Sequence, residues 1–419
     1  LVRLRGQASK EGGGPFLNGT GRAENSLLPA PGISGFMTGM NPLHEARMHV
    51  RRELEAPPAL RKFGSGWISG VLGLILGVAA VAAVIMIWFP GVFTTAEMSK
   101  AYATGWYRPA LFGVIIGGFV FSMLSLVLRE SKVLGMTGMA ATLLALTMGG
   151  SSAAPLAADA TPLYFGLDFF VLRLLLTGLV FIPIETLFPR RADQGIFRYE
   201  WREDLFYYFV SSMMVQVLTW LSFIPANTLL AITSWSEFRA WVAALPFAVQ
   251  FIAIMFLTDV VQYWVHRLFH RIPALWRFHA VHHSAQHMDW MAGARMHFLE
   301  ILILRGTTVI PTIVLGFSQS AVGAYIFVVY LYATFVHSNL GLRLRPVEKL
   351  LVTPRFHHWH HGIEKEAIDV NFAIHFPLLD RLFGTYHMPE DGRWPEGYGI
   401  QGHPVPKGYW RQFLHPFKR

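Results

Sequence analysis

Cysteine is absent from all 419 residues. Disulfides, thiolate-bound zinc, iron–sulfur clusters and covalently attached c-type haem are therefore closed to this chain. Charge is scarce as well: Asp, Glu, Lys and Arg make up 15% of the residues against 53% hydrophobic ones. A chain of this length has room for roughly two or three soluble domains, but with a mean hydropathy of +0.39 it reads instead as a polytopic membrane protein. The net charge of +9 does not argue for nucleic acid, because the basic residues gather at the ends of apolar runs, where membrane topology accounts for them. No Gly-rich nucleotide-binding loop follows a strand-like segment. Any redox reaction must then draw on an external electron-donor protein. The chain opens with Leu1, and its first apolar run is too far in and too long for a cleaved signal peptide. Met37 and Met40 are candidate starts.

Residues 1–63 hold Gly, Ser and charge without a sustained period, and read as a disordered or weakly ordered cytoplasmic tail. Asn18-Gly19-Thr20 matches a glycosylation sequon, a pattern too short to carry weight. A bilayer crossing needs about 20 apolar residues. Six runs are candidates: Trp67 to Phe93, Pro109 to Leu128, Val133 to Met148, Leu163 to Leu187, Leu205 to Leu230 and Phe247 to Trp264. Arg47, Arg51, Arg52, Arg61 and Lys62 precede the first, Arg129 and Lys132 follow the second, and Arg190, Arg191, Arg198 and Arg202 follow the fourth. Every second loop is basic, which places the amino terminus in the cytoplasm. Ile301 to Val336 forms two apolar arms broken around Gly316 and Ser318; as a hairpin or as two crossings it returns to the side it left. Asp168 and Arg173 fall inside the fourth run, where a buried pair or snorkelling is the expected arrangement.

These runs predict an all-α integral membrane protein, a polytopic helical bundle with a cytosolic histidine-rich helical cap. Its parts are the tail 1–63, extra transmembrane helices over 64–160, a membrane-bound domain with the histidines over 161–390, and a C-terminal tail over 391–419.

The histidines come in three clusters: His266-x-x-x-His270, His279-x-x-His282-His283 and His357-x-x-His360-His361. Residues three or four apart share a helix face, so each cluster reads as imidazoles aimed at one point. A lone histidine in an apolar chain is usually a core or interface residue; three clusters, two with the same spacing, are not so explained. Converging, they offer eight nitrogen donors, too many for one tetrahedral zinc and suited to two metals. Imidazole serves iron, zinc, copper and nickel. The Glu and Glu-x-x-His motifs of soluble di-iron bundles are not evident. Asp259 lies two turns before His266 on the same helical face, a candidate acceptor for orienting a ligand or simply a polar residue at headgroup level.

The run Asp259-Val-Val-Gln-Tyr-Trp-Val-His266-Arg-Leu-Phe-His270, then Trp276-Arg-Phe-His279-Ala-Val-His282-His283-Ser284, resembles the fatty acid hydroxylase and sterol desaturase superfamily. Thr353-Pro-Arg-Phe-His357-His-Trp-His360-His361 and Leu379-Asp380-Arg-Leu-Phe383-Gly384-Thr385 extend the likeness, which covers roughly residues 165 to 415. Asp289-Trp290-Met-Ala-Gly293-Ala-Arg295-Met-His297 points to the bacterial sterol desaturase-like branch, and so to a bacterial inner membrane. The resemblance implies an O2-dependent oxidoreductase with a di-iron centre on the cytosolic side, acting on an unactivated C–H position of a membrane lipid by hydroxylation or desaturation. It implies that the eight box histidines are metal ligands and that His337, in Val336-His337-Ser338-Asn339, is a ninth. Arg295 and His297 match a family motif of less uniform role and are candidates for outer-sphere or substrate-side contacts. His358 is off the repeated spacing and is left out; His287, His375 and His387 are expected to make structural polar contacts only.

Two other classes compete. A histidine-rich metal transporter would need ligands lining a path across the bilayer, whereas these boxes lie beyond the apolar runs. A non-catalytic lipid-binding protein with a structural metal pair would bind metal and turn nothing over.

Overall fold

The computed structural model describes residues 42–95, 98, 100, 105–156, 164–342, 344–402 and 404–418. The sequon at Asn18, the candidate starts Met37 and Met40, and the expected tail as far as residue 41 lie outside these. From Pro42 the chain is helical, with α1 at Pro42–Leu54. Among the described residues there are helices and 3-10 turns but no strand, only isolated bridges of Pro189 with Leu340 and Gly362 with Tyr398.

Among the described residues, seven helices are long and apolar enough to cross a membrane, and the protein is of the all-α integral membrane class. The first run is cut at its end: α2 (Trp67–Trp88) stops before Phe89, and Pro90 opens the short α3 (Pro90–Phe93). Proline lacks the N–H and disfavours helical backbone in the residue before it; Phe89 accordingly takes φ −130 and ψ 62. α4 (Tyr107–Leu128) and α5 (Val133–Thr147) complete an amino-terminal trio with α2. These three approach closely because small residues line the contact, as in other helix pairs in membranes. A Cβ added to Gly73 would sit 2.4 Å from Ser122 Oγ.

After α6 (Leu167–Leu187), the fifth apolar run departs from expectation. It is two helices, α7 (Trp201–Met213) and α8 (Val215–Ile232), divided at Met214. Ser211 and Ser212 both donate their hydroxyls to the Tyr208 carbonyl, at 3.2 and 2.7 Å, and such back-bonding bends helices. The shorter α7, with Glu203 and Asp204 in its first turn, serves the histidine region.

A short α9 (Ser236–Ala244) leads to α10 (Phe247–Arg271), which carries His266 and His270 near its carboxyl end. Ile272 is extended and Pro273 starts α11 (Pro273–His283), bringing the second cluster back beside the first. The hairpin then forms from α12 (Phe298–Val314) and α13 (Gln319–His337). Its bend depends on Gly316 at φ 81, a left-handed backbone that glycine adopts freely, and on Ser318 capping α13. α13 ends at His337, and the chain after it lies beside the end of α6, with Gly341 N donating to the Phe188 carbonyl at 2.9 Å. The carboxyl ends of α10 and α13 thus meet α14 (Pro354–His360) around one buried cluster that includes Tyr263, Val336, Val352, Phe356 and Phe372. α15 (Leu378–Leu382) belongs to the same cap.

The segment after residue 390 packs back onto the bundle. Its helix α16 (Tyr409–Leu414) offers Gln412, which accepts from the Tyr207 hydroxyl at 2.8 Å and donates to Glu203 at 3.0 Å.

Candidate metal centre

Nine histidines converge in two groups. His266, His270, His279, His283 and His360 form one, and His282, His337, His357 and His361 the other; within each group one nitrogen per residue lies within 4.8 Å of the others. The eight box residues and His337 are all brought together. The expectation that each cluster aims at one point needs correction, because the second and third boxes are each divided. Residues four apart on a helix differ in azimuth by about 40°, whereas the third residue points about 60° to the other side. His279 and His283 therefore stay in the five-member group while His282 joins the four-member group. The third box divides the other way: His357 and His361 stay in the four-member group, and His360 crosses to the five-member one.

The outer ring nitrogens are held by acceptors. His266 Nδ1 donates to the Phe372 carbonyl at 2.9 Å, His270 Nδ1 to Asp369 Oδ1 at 3.3 Å, His279 Nδ1 to Glu300 Oε1 at 2.5 Å and His360 Nδ1 to the Val370 carbonyl at 2.8 Å. In the second group His282 Nδ1 donates to the Arg295 carbonyl at 3.0 Å and His337 Nδ1 to the Ala333 carbonyl at 2.7 Å. A neutral imidazole whose Nδ1 carries the proton presents a lone pair at Nε2. Two such lone pairs face each other in each group: His266 and His279 Nε2 are 3.0 Å apart, and His337 and His282 Nε2 are 3.2 Å apart. His270, His360 and His361 Nε2 are buried with no hydrogen-bond partner. Opposed lone pairs and orphaned acceptors in a dry site are relieved by a cation, so the donor set fits two metal ions. Burial, followed by the charge each ring would present to its neighbours, holds His279, His283, His357 and His361 well below the usual histidine range. They stay neutral, as metal ligation requires.

Backbone geometry seats these rings. Asp289 accepts from the amides of Met291 and Ala292, both at 3.0 Å, and pins the turn that follows. In that turn Gly293 lies so near His337 that an added Cβ would be 2.9 Å from its Nδ1. Asp289 is itself gripped by Arg198 through two bonds of 2.8 Å, and Arg198 also reaches Asp204.

The three outlying candidates fall as follows. Asp259, a candidate acceptor for a ligand or a simple polar residue, touches no box histidine directly. Two helical turns are about 11 Å, too far for a hydrogen bond, and its carboxylate instead accepts from the amides of Ile374, His375 and Phe376 at 2.8, 3.2 and 2.8 Å. It fixes the loop whose Phe372 carbonyl orients His266. Arg295 supplies its carbonyl to His282, while its guanidinium pairs with Asp204 at 2.6 Å and Glu200 at 3.2 Å. His297 is the cap of α12: it accepts from Leu299 N at 3.2 Å and donates to the Phe413 carbonyl at 3.0 Å. His358 bonds Tyr398 at 2.8 Å, outside both groups. Asp168 and Arg173 do not pair; Asp168 accepts from Thr95 N and Oγ1, each at 2.7 Å.

Glu300 and Asp369 went unread in the sequence. Glu300 did carry a signal, being the sole acid between Asp289 and Glu348, at the opening of an apolar arm. Asp369 had none, since its partner His270 lies 99 residues away.

This is a helical membrane protein with two buried histidine groups, each able to hold a metal ion. Residues 251–385, which contain every one of the nine histidines, match the fatty acid hydroxylase family model. The chain is 32% identical over 185 residues to the ornithine lipid hydroxylase OlsE of Rhizobium tropici, covering 43% of this chain and 54% of that protein. It is 31% identical over 133 residues to the alkylglycerol monooxygenase of Danio rerio, covering 32% of this chain and 29% of the relative. With human lathosterol oxidase it shares 23% identity over 192 residues, 44% of this chain and 63% of the relative. In each case less than two thirds of the relative's own length is matched. No solved structure matches the chain.

Proposed function

We propose that the protein is a membrane-bound lipid oxygenase in which His266, His270, His279, His283 and His360 hold one iron and His282, His337, His357 and His361 hold the other. The observation that carries this reading is the pair of opposed imidazole lone pairs, one in each group, backed by acceptors on the far side of every ring involved. Such a centre, supplied with electrons and O2, has the capacity to break an unactivated C–H bond and yield an alcohol or an alkene. The chain's own part is to present neutral nitrogens in a fixed array, to keep them dry and to hold the rings against rotation through their Nδ1 partners. Asp259, Arg295 and His297 act at one remove, through a loop, a carbonyl and a helix cap.

The substrate class proposed is the chain of a membrane lipid, fatty acyl, sterol or isoprenoid. The names of the relatives support it, referring to an ornithine lipid, an alkylglycerol and lathosterol. Electrons are proposed to come from a separate donor protein. The alternation of basic loops supports a cytoplasmic amino terminus and a histidine site on the cytoplasmic face, in a bacterial inner membrane. A transporter would string its donors along a path; here all nine close on two points.

Metal analysis of the purified protein, with O2 uptake, tests the centre. About two irons per chain and O2 consumption support it. Zinc alone without turnover would mean a structural metal pair. Lipid mass spectrometry of cells with and without the protein, repeated with His282→Ala, reads the reaction: gain of one oxygen or loss of two hydrogens identifies the type. A lipid change that survives His282→Ala would show the site to be wrong.

A further inference from the structure

Among the described residues, Arg173 and Arg305 lie within apolar helices with no counter-charge. Arg173, on α6, donates from Nε to the Tyr330 hydroxyl at 2.7 Å and from Nη1 to Ser211 at 3.2 Å, and its guanidinium lies 4.0 Å from the Tyr208 ring centre. All three partners are neutral, and Nη2 keeps its donors. Arg305, midway along α12, is exposed, and its guanidinium has no hydrogen bond or ion pair among the described residues. It lies within electrostatic range of Arg173 and Tyr330. The nearest acid in sequence to Arg173, Asp168, is taken by Thr95. An arginine at the centre of a membrane helix costs roughly 2.5–3.5 kcal/mol, and two of like sign in a medium of low dielectric repel each other. An anion removes both costs, and a planar guanidinium matches phosphate or carboxylate.

We propose that Arg173 and Arg305 bind the anionic group, phosphate or carboxylate, of the lipid whose chain reaches the histidine site. The lipid role rests on the oxygenase reading above; the anion site rests on the two guanidiniums. Tyr330 and His337 are seven residues apart on α13, hence on one face and about 10.5 Å apart along the axis. A headgroup fastened beside Tyr330 lays its chain along that face toward His337. The site therefore selects lipids that carry an anionic group over neutral ones with the same chains, and it fixes which carbon comes to the metals by distance from that group.

Retention of lipid by the full-length protein in detergent, read by native mass spectrometry, tests the assignment. The probes are dioleoyl phosphatidic acid, oleate and dioleoylglycerol. We expect one or both anionic probes to be held roughly tenfold or more tightly than dioleoylglycerol, the worth of a charge-assisted hydrogen bond. Retention of phosphatidic acid alone assigns a phosphate, and of oleate alone a carboxylate. Arg305→Gln and Arg173→Gln each abolish the preference, and Arg305→Lys keeps part of it. Because Arg305 is exposed, its variants should melt and bind metal as the parent does, which separates loss of the site from loss of the fold. Equal retention of all three probes, or an undiminished preference in both Gln variants, overturns the proposal. The two readings fail separately. Anion preference without any oxidised lipid from iron-loaded, reduced protein would end the oxygenase reading, and oxidised lipid without anion preference would end this one.

Discussion

The two histidine groups differ in what stands behind the rings. In the five-member group two histidines lean on carboxylates, Glu300 behind His279 and Asp369 behind His270, and two lean on carbonyls. In the four-member group only carbonyls serve, behind His282 and His337, while the Nδ1 atoms of His357 and His361 are buried without a partner. A carboxylate behind an imidazole raises its basicity and locks its orientation. The five-member position is thus the richer in donors and in carboxyl groups behind them. The four-member position has fewer donors and rings held less firmly. Two positions built from one residue type are made unequal by their surroundings.

The largest expected effect comes from removing one ligand on each side. His361→Ala leaves the poorer group with three donors, and the ion proposed there should be lost, with lipid product falling to background. His283→Ala leaves the richer group with four, and that position should keep its ion at reduced affinity. Metal content per chain after gel filtration, beside product yield, reads both. Equal loss of metal from the two variants would break the asymmetry.

Next in size is the carboxylate behind His279. Glu300→Gln preserves shape but removes the charge, and metal affinity at the five-member position should fall roughly tenfold to a hundredfold. Asp369→Asn should cost less, since Asp369 is 31% exposed and its bond to His270 is 3.3 Å against 2.5 Å for Glu300. A chelator titration resolves the order. The ion in the four-member group should respond to neither change.

The histidines themselves were legible because helical spacing is a local property. His337 required the family likeness, since one histidine at the end of an apolar arm has no pattern of its own. The division between groups was not legible as a shared aim, although the spacing contains it: two residues four apart stay together and the third diverges. The break at Met214 was hidden because serine back-bonding leaves hydropathy unchanged. The partners of Asp259 were not legible, because the amides of Ile374 to Phe376 come from more than a hundred residues away. Arg173 was expected to pair with Asp168 or to snorkel, and it found tyrosines; sequence separation again concealed the contact.

A smaller test acts on the four-member group alone. Gly293→Ala drives a methyl to 2.9 Å from His337 Nδ1, inside contact distance. His337 or the turn beneath it must shift, at a cost of about 1–3 kcal/mol. Metal affinity should drop at that position only, visible as an earlier release of one ion of the pair in the same chelator titration. Release of the other ion first would mean that Gly293 supports the richer group.

The smallest expected effect belongs to Asp259, which acts on the five-member group through the loop that follows Val370. Three amides converge on its carboxylate. Asp259→Asn keeps one acceptor oxygen and loses the charge, so a charge-assisted contact becomes a neutral one, a difference of about 1 kcal/mol. Phe372 and Val370 then hold His266 and His360 less firmly, and the five-member position should weaken slightly while the thermal midpoint falls by a few degrees. Asp259→Ala strands all three donors and should do more. If either substitution weakens the four-member position as much as the five-member one, the loop supports both positions alike, and the inequality between them must come from donor number and from Glu300 and Asp369.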